Sequence, residues 1–347
     1  MMEELQAVQA AKGGIFEDAI AVSFGNDAAA VLAAREGVAI CDRSHWGRIL
    51  VGDDDRLRFL HNQSTNDFQT LKSGQGCNTV FVTSTARTID LATGYVTENE
   101  VILLVSPNRR EKIFKWLDQY IFFADKVKLT DITDDTATFS LIGSGSDAIL
   151  EQLGGGKIIG KSLHNHQLLT LGDIEVRVAV GSGLATPGYT LIVAVENATK
   201  VWQNLVELGA VPLGDRVWER LRIEAGRPIP DRELTEDYNP LEVGLWQTIS
   251  FNKGCYIGQE TIARLNTYKG VKQQLWGILL QAPAEVGSVI TVGEEKVGKL
   301  TSYTECDRGY FGLGYIRTKA GGKGLKVQVG NTEGELVDVL FVTHEYP

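Results

Sequence analysis

The C-terminal part of the chain alternates short apolar segments with glycine-containing turns, and no helical pattern interrupts them. Short strands at close spacing are typical of a small β-barrel or β-sandwich, because each strand must bury one face against its neighbours. The sequence therefore predicts an all-β domain of about 75 residues, with its boundary in the segment 269–272. The predicted strands are 275–280, 289–292, 296–304, 312–317, 325–329 and 336–342.

The preceding part of the chain mixes strand pairs with amphipathic helices. Segments 88–97 and 101–105 predict paired strands, whereas 107–120 and 217–225 carry an apolar face at helical spacing. Strands that follow one another through short turns favour antiparallel sheets over a doubly wound parallel sheet. We therefore expect α+β domains in this part.

Composition limits the classes of function. The chain has 347 residues, enough for two or three domains, and its net charge of 34 − 44 = −10 argues against a general nucleic-acid coat while allowing a local basic site. We expect no membrane association and a cytoplasmic location, because no apolar run could cross a bilayer and no secretory leader is visible. Four dispersed cysteines without metal-ligand spacing predict free thiols and no metal site. They are Cys41, Cys77, Cys255 and Cys306.

One stretch of nine residues, 252–260, combines a thiol, an ammonium group, two glycines and a Gln-Glu pair. The glycines favour a turn, and a short helix is expected to follow, which would place Cys255 near a helix N-terminus and two residues from Lys253. Both neighbours favour a thiolate over a thiol, although a small buried cysteine in a turn is the alternative. The other candidate residues of this signature loop are Gly254, Tyr256, Gly258, Gln259 and Glu260.

The run from Lys253 to Glu260 resembles the signature of the YgfZ/GcvT-like folate-binding family, the relatives of the glycine-cleavage T-protein, an aminomethyltransferase. The resemblance extends over nearly the whole chain. In the T-protein, a glutamate in a Leu-Arg-Leu-Glu-Ala run binds the pterin of tetrahydrofolate, and Glu224 occupies that position here. A carboxylate suits the donor pair of a pterin ring, but an ion pair with Arg220 or Arg227 would also satisfy it.

The segment 86–91 resembles the Gly-Gly-Ile-Leu-Asp-Asp run of the T-protein, whose aspartate faces the reactive folate nitrogen. The resemblance implies that Asp90 contacts folate, and a turn or strand-end residue is the alternative. Ala86 and Arg87 replace both glycines, and only one acid remains. An arginine would obstruct a substrate arm where glycines allow close approach, which counts against aminomethyl transfer.

Two further features complete the implied folate site. The closing segment 341–346 resembles that of the T-protein and implies that Tyr346 reaches the folate, whereas a frayed terminal residue is the alternative. Four basic residues between 253 and 272 predict a positive patch that would attract a folate glutamyl tail or a phosphate backbone, unless they are merely solvated. They are Lys253, Arg264, Lys269 and Lys272.

As the resemblance implies it, the fold is α+β, a three-part cloverleaf of two α+β domains with antiparallel sheets and a C-terminal β-barrel around a central folate cavity. The domain division is 1–48 with 131–250, then 49–130, a signature loop and linker 251–272, and the barrel 273–347.

The implied function is that of a tetrahydrofolate-binding accessory protein for assembly or repair of iron–sulfur proteins, including tRNA-modifying radical enzymes. Cys255 would attack an electrophile or hold an iron–sulfur intermediate, and a single thiolate is too few ligands to own a cluster. The expected ligand is tetrahydrofolate or a derivative, and the expected partners are iron–sulfur client enzymes. One alternative is an aminomethyltransferase that passes a one-carbon unit to tetrahydrofolate. Another is a module that binds RNA, such as tRNA, through the basic patch.

Overall fold

A computed structural model describes residues 2–346, which divide into two compact units. The first unit holds the chain up to Leu57 together with Thr70–Cys77 and Thr93–Glu219. The second holds Arg58–Gln69, Asn78–Ala92 and the chain from Arg220 onward. The two units are defined by contacts within the chain, and their boundaries differ from those of the three expected domains. The division into three domains stays a prediction.

The described residues form nine α-helices, nineteen strands and five short 3-10 turns. The helices are α1 Met2–Ala11, α2 Asp27–Glu36, α3 Arg56–Gln63, α4 Arg110–Asp118, α5 Ser146–Gln152, α6 Ala198–Glu207, α7 Asp215–Ala225, α8 Pro240–Val243 and α9 Gln259–Thr267. The 3-10 turns are Pro107–Arg109, Gly156–Ile158, Val195–Asn197, Trp246–Thr248 and Thr318–Ala320.

The first thirteen strands precede the C-terminal barrel. They are β1 Ile15–Glu17, β2 Ile20–Ser23, β3 Ala39–Asp42, β4 Gly47–Gly52, β5 Gln75–Val82, β6 Thr88–Val96, β7 Glu100–Val105, β8 Lys128–Asp131, β9 Thr136–Ile142, β10 His166–Leu171, β11 Ile174–Val180, β12 Gly188–Ala194 and β13 Val211–Leu213. The last six are β14 Gln273–Leu280, β15 Val289–Val292, β16 Glu295–Cys306, β17 Gly309–Arg317, β18 Lys326–Val329 and β19 Thr332–Val337.

The first unit is built on a six-stranded sheet in the order β10-β11-β12-β9-β3-β13. Its pairs are antiparallel except β13 with β3, which is parallel. Helix α6 presents Val201, Trp202 and Leu205 at helical spacing to the core of this unit, where they pack with strand residues such as Phe139 and Leu191. The α+β class with antiparallel sheets is thus confirmed.

A second sheet has the order β5-β6-β7-β4-β8. Strands β4, β7 and β8 lie in the first unit and pair antiparallel, with Ile49 opposite Leu103 and Asp131. Strands β5 and β6 each contain a boundary between the two units. Their second-unit portions are 78–82 and 88–92, and the latter carries Asp90 of the candidate site.

The C-terminal strands close into a six-stranded barrel in the order β14-β17-β16-β15-β18-β19, which confirms the predicted β-barrel. Its interior is apolar and includes Ile278, Ile290, Leu300 and Leu336. The last predicted strand, 336–342, is wrong: the strand is Thr332–Val337. The apolar residues beyond it pack without strand pairing into the core around Ile223, so their burial does not come from a sheet.

Four elements were absent from the sequence-based predictions: α1, the β1–β2 hairpin, β13 and α8. Helix α1 buries only Leu5 and Gln9, so its amphipathic pattern is weak. Helix α8 is four residues long, and a capping box defines it: Asn239 accepts from the backbone of Glu242, whose carboxylate accepts from Asn239 N. No described helix has the length and apolar character needed to cross a bilayer.

Candidate functional site

The signature loop turns into α9 at Gly258, whose φ is +82°. A Cβ on this residue would lie 2.8 Å from Thr83 O and 3.1 Å from Ala86 Cα. Both the left-handed backbone and the close neighbours therefore require glycine at this position. Gly254 differs, because the nearest atom to a Cβ there is His61 Nε2, at an ordinary distance of 3.7 Å. The turn does not need glycine at 254.

Lys253 ties the signature loop to the C-terminal end of α3 and to the segment that follows it. Its ammonium group donates to the carbonyl oxygens of His61, Ser64 (2.8 Å) and Asn66 (2.6 Å). These three acceptors match the three donors of an ammonium group. The Nζ atom also lies 4.7 Å from the ring centre of Tyr256. Lys253 is thus a structural clamp, and its contact with folate stays a prediction.

The residues after Cys255 are fixed by local hydrogen bonds. Tyr256 N donates to Gln259 Oε1 at 2.9 Å, and Gln259 N donates to Tyr256 O at 3.2 Å. Ile257 N donates to Asn62 O at 3.1 Å, which is a second tie to the C-terminal end of α3. Burial raises the pKa of the Tyr256 phenol, so it stays neutral. Glu260 is exposed in the first turn of α9, where a carboxylate favours the helix.

Cys255 is exposed, so the alternative of a small buried cysteine is wrong. By contrast, Cys41 is buried, and Cys77 and Cys306 are half-buried. Cys41, Cys255 and Cys306 are free thiols. Helix α9 begins at Gln259, four residues after Cys255. The structure therefore presents Cys255 to solvent from a loop fixed on both sides.

A histidine–aspartate pair that sequence reasoning missed lies beside this loop. His61 Nδ1 is 2.9 Å from Asp67 Oδ1, and the histidine is only 5% exposed. Burial and the Lys253 charge lower the pKa of His61, while Asp67 opposes them. Nε2 faces Gly254 and has no hydrogen bond from the described residues. The only sequence signal is a histidine and an aspartate in the polar run 61–67, which is weak.

Glu224 lies near the end of α7 and is half-buried. Its Oε1 atom accepts a hydrogen bond from Arg220 Nε at 2.8 Å, and Arg220 Nη2 donates to Asp307 at 2.7 Å. The ion pair considered as the alternative for Glu224 therefore exists, with Arg220. The Glu224 side chain is 20% exposed, which places it at the edge of the helix's buried face. Its proposed contact with pterin stays a prediction.

Arg222, on the buried side of α7, anchors the helix to the barrel. Its Nη1 atom donates to Glu233 Oε2 at 3.0 Å, and both side chains are wholly buried. Arg222 also donates to Ser302 Oγ at 2.8 Å, while Thr301 Oγ1 donates to Glu233 Oε1 at 2.7 Å. A buried pair needs such additional hydrogen bonds. This network fixes the helix that carries Glu224.

Asp90 is the third residue of β6 and is wholly buried, so it does not lie in a turn. Its neighbour Leu91 packs in the core around Ile223, and alternation along the strand turns Asp90 to the other face. Arg87 Nη1 donates to Asp237 O at 2.8 Å. The guanidinium that was expected to obstruct a substrate arm is therefore held by the segment that leads to α8.

Tyr346 is docked, so the alternative of a frayed terminal residue is wrong. Its hydroxyl accepts a hydrogen bond from Val271 N at 3.2 Å, and its ring centre lies 4.7 Å from that of Trp246. Tyr346 and Tyr256 pack against one apolar cluster that also includes Ala86. The structure therefore brings together the chain end, the signature loop and the turn before β6.

All predicted site residues lie in the second unit. Three of the four predicted basic residues are exposed, whereas Lys253 is engaged by carbonyls; the three are Arg264, Lys269 and Lys272. Within residues 2–346, no group of three or more His, Cys, Asp and Glu side chains could hold a metal ion. A local positive patch formed by these three residues stays a prediction.

Comparison with known proteins gives consistent results. The model of a family described as "GCVT N-terminal domain" matches residues 5–253. The chain is 47% identical over 346 residues to an Arabidopsis thaliana protein named "Putative transferase At1g60990, chloroplastic", a match that covers 99% of this chain and 80% of that protein. It is 27% identical over 324 residues to an aminomethyltransferase of Halothermothrix orenii, which covers 89% of this chain and 90% of the relative.

A solved structure shares the fold. The glycine cleavage system aminomethyltransferase T from Bartonella henselae superposes with a TM-score of 0.87, over 99% of this chain and 98% of that chain. The sequence identity between the two is 18%, so this likeness concerns the fold alone. The expected cytoplasmic location stays a prediction beside a relative that is named chloroplastic.

Proposed function

The chain belongs to the GCVT-domain family, and from that premise we propose that it binds tetrahydrofolate or a derivative and serves in the assembly or repair of iron–sulfur proteins. Folate would be the ligand, and an iron–sulfur enzyme, including one that modifies tRNA, would be the client. Cys255 would supply the reacting thiol. The observation that carries this proposal is the exposure of Cys255 on a loop that the structure fixes on both sides.

The polar and charged side chains of the second unit suit a folate. Glu224 offers a half-buried carboxylate held in place by Arg220, and a carboxylate can accept the paired N–H donors of a pterin ring. The exposed Arg264, Lys269 and Lys272 suit the carboxylates of a glutamyl tail. Asp90 and Tyr346 are the further candidate contacts.

The chemistry at Cys255 suits a transient role. One exposed thiol can attack an electrophile or ligate iron together with groups of a client protein, but it cannot hold a cluster by itself. The described residues contain no set of side chains that would complete such a site. An iron–sulfur cluster would therefore be substrate or cargo, with its remaining ligands supplied by the client.

Binding and thiol chemistry are tested separately. Titration calorimetry with tetrahydrofolate should show saturable binding, and Cys255→Ala should keep the affinity within several-fold. The same variant should fail to restore the activity of iron–sulfur enzymes in cells that lack the protein. The absence of binding at about 1 mM ligand would overturn the folate role. Full complementation by Cys255→Ala would overturn the thiol role.

Two further assays test the alternative functions, one-carbon transfer and RNA binding. Turnover of an aminomethylated lipoyl carrier within a few-fold of a genuine aminomethyltransferase would replace our proposal with one-carbon transfer. Binding of tRNA that weakens with salt and persists in Glu224→Ala would favour an RNA-binding module, because phosphate contacts depend on ionic strength. Departures at Ala86 and Arg87 count against the first of these outcomes.

A further inference from the structure

The Nε2 atom of His61 lies beside the loop that carries Cys255, and it is not among the fully buried unpaired polar atoms of the described residues. The histidine is 5% exposed, and the atom nearest to a Cβ built on Gly254 is this Nε2, at 3.7 Å. The described residues provide no hydrogen-bond partner for Nε2, whereas Nδ1 is engaged by Asp67 at 2.9 Å. Nε2 is therefore open to a proton donor from this loop.

Four hydrogen bonds hold the two segments in register. Lys253 binds the carbonyl oxygens of His61, Ser64 and Asn66, and Ile257 N binds Asn62 O. These bonds flank Cys255 on both sides. The Cα atoms of neighbouring residues are about 3.8 Å apart, so the Cys255 side chain starts within one residue of the atom that Nε2 faces. The orientation of His61 toward this loop is therefore built into the fold.

The Asp67 carboxylate determines what the imidazole can do. A carboxylate that accepts from Nδ1–H fixes the tautomer with a lone pair on Nε2, and it stabilises the imidazolium once Nε2 gains a proton. Burial and the Lys253 charge keep the pKa of His61 low, so the ring is neutral near pH 7 and can accept a proton. A thiol paired with such a base becomes a nucleophile.

We propose that His61, oriented by Asp67, is the proton acceptor for the Cys255 thiol. The Sγ–H proton passes to His61 Nε2, the thiolate attacks an electrophilic carbon or sulfur, and the leaving group departs with its electron pair. The proton then returns from His61 to the leaving group or to water. This inference rests on the proposed role of Cys255 as a reactive thiol, and it requires neither folate nor a client.

The test measures alkylation of Cys255 by iodoacetamide, followed by mass spectrometry of the peptide that contains it. In this reaction an S–C bond forms, the C–I bond breaks and iodide leaves. Wild-type protein should react faster at pH 7 than an unassisted thiol, whose pKa is about 8.5. His61→Gln should slow the reaction at pH 7 at least tenfold and move the midpoint of the rate–pH profile toward that of a free thiol.

Two variants keep the inference falsifiable if His61→Gln fails to fold. Asp67→Asn removes the carboxylate that orients the ring and should slow alkylation several-fold. Gly254→Ala places a methyl group against Nε2 in a position with room for it, and it should slow alkylation without loss of stability. His344→Gln, at a half-buried histidine whose Nε2 bonds Leu275 O, is the matched control and should leave the profile unchanged.

The outcome that overturns the inference is a rate at pH 7 within twofold of wild type, with the same midpoint, in every folded variant of His61, Asp67 and Gly254. That result would leave the folate proposal untouched, because alkylation is measured without folate. Failure of tetrahydrofolate to bind would leave the altered rate–pH profiles unaffected. The two proposals therefore fail independently.

Discussion

Arg220 holds Glu224 in an ion pair at 2.8 Å along one turn of α7. The same arginine also binds the exposed Asp307 at 2.7 Å. Asp307 therefore helps to fix the guanidinium group that holds the half-buried carboxylate of Glu224. A carboxylate oriented in this way is ready to accept donors from a ligand. The ion pair and the proposed pterin contact are thus compatible, since a carboxylate has two oxygens and several acceptor sites.

We expect Glu224→Gln to weaken tetrahydrofolate binding by about 1.5–3 kcal/mol, or roughly 10- to 150-fold, the scale of a hydrogen bond to a charged group. Titration calorimetry measures the change. Asp307→Asn is the matched control, because it removes the exposed partner of the same arginine and should change the affinity less than threefold. Equal affinities of wild type and Glu224→Gln would contradict the assignment.

Gly258→Ala should destabilise the second unit by about 2 kcal/mol or more. The backbone there has φ = +82°, which costs a residue with a side chain about 1–2 kcal/mol, and the new methyl group would lie 2.8 Å from Thr83 O. Gly254→Ala is the paired control, since its Cβ meets nothing closer than 3.7 Å, and it should cost less than about 1 kcal/mol. Denaturant unfolding that ranks the two variants in the reverse order would refute this reading of the loop.

Glu233→Ala should lower the free energy of unfolding by about 3–5 kcal/mol, because it leaves the wholly buried Arg222 without its carboxylate. The hydroxyl groups of Thr301 and Ser302 lose the same acceptor. The double variant Arg222→Met with Glu233→Leu should recover most of this loss, since it removes both charges. A loss below 1 kcal/mol for Glu233→Ala would show that the pair is not needed to hold α7.

Stability should fall as the pH decreases from 6.5 to 4. Burial lowers the pKa of His45, His164 and His166 to about 4, against about 6.5 in an unfolded chain. In this range the unfolded state binds more protons than the folded state, so acid favours unfolding. Burial also raises the pKa of Asp215 to about 6, which opposes the trend, but that side chain is 40% exposed and its share is screened.

If the unfolded state binds two to three more protons than the folded state, the free energy of unfolding changes by roughly 2–4 kcal/mol per pH unit. Denaturant unfolding at pH 7, 6 and 5 measures this slope. His166→Gln should reduce this slope by the share of about one proton. Burial and the Arg177 guanidinium, which lies 3.0 Å from Nδ1, keep His166 unprotonated in the folded state, whereas it is protonated in the unfolded chain. A stability that is constant from pH 7 to 5 would contradict the assigned burial of these histidines.

The sequence by itself determined the elements whose signal is local. Alternation and turn residues predict the barrel strands, and apolar spacing predicts α4 and α7. The position of Gly258 at a turn into a helix is also a local signal, because the backbone conformation there excludes a side chain. The last barrel strand was misplaced, since an apolar run is equally consistent with irregular chain buried by a neighbouring core.

Only the tertiary structure decided how the side chains are paired. Lys253 meets carbonyl oxygens about 190 residues away in the chain. Arg222 of α7 meets Glu233, which lies in a turn, and Ser302 of β16. The approach of His61 to Gly254 has no counterpart in sequence spacing. Contacts between distant segments depend on how packed elements bring them together in space, and the pattern of residues along a chain fixes which faces are buried but not which polar groups then meet.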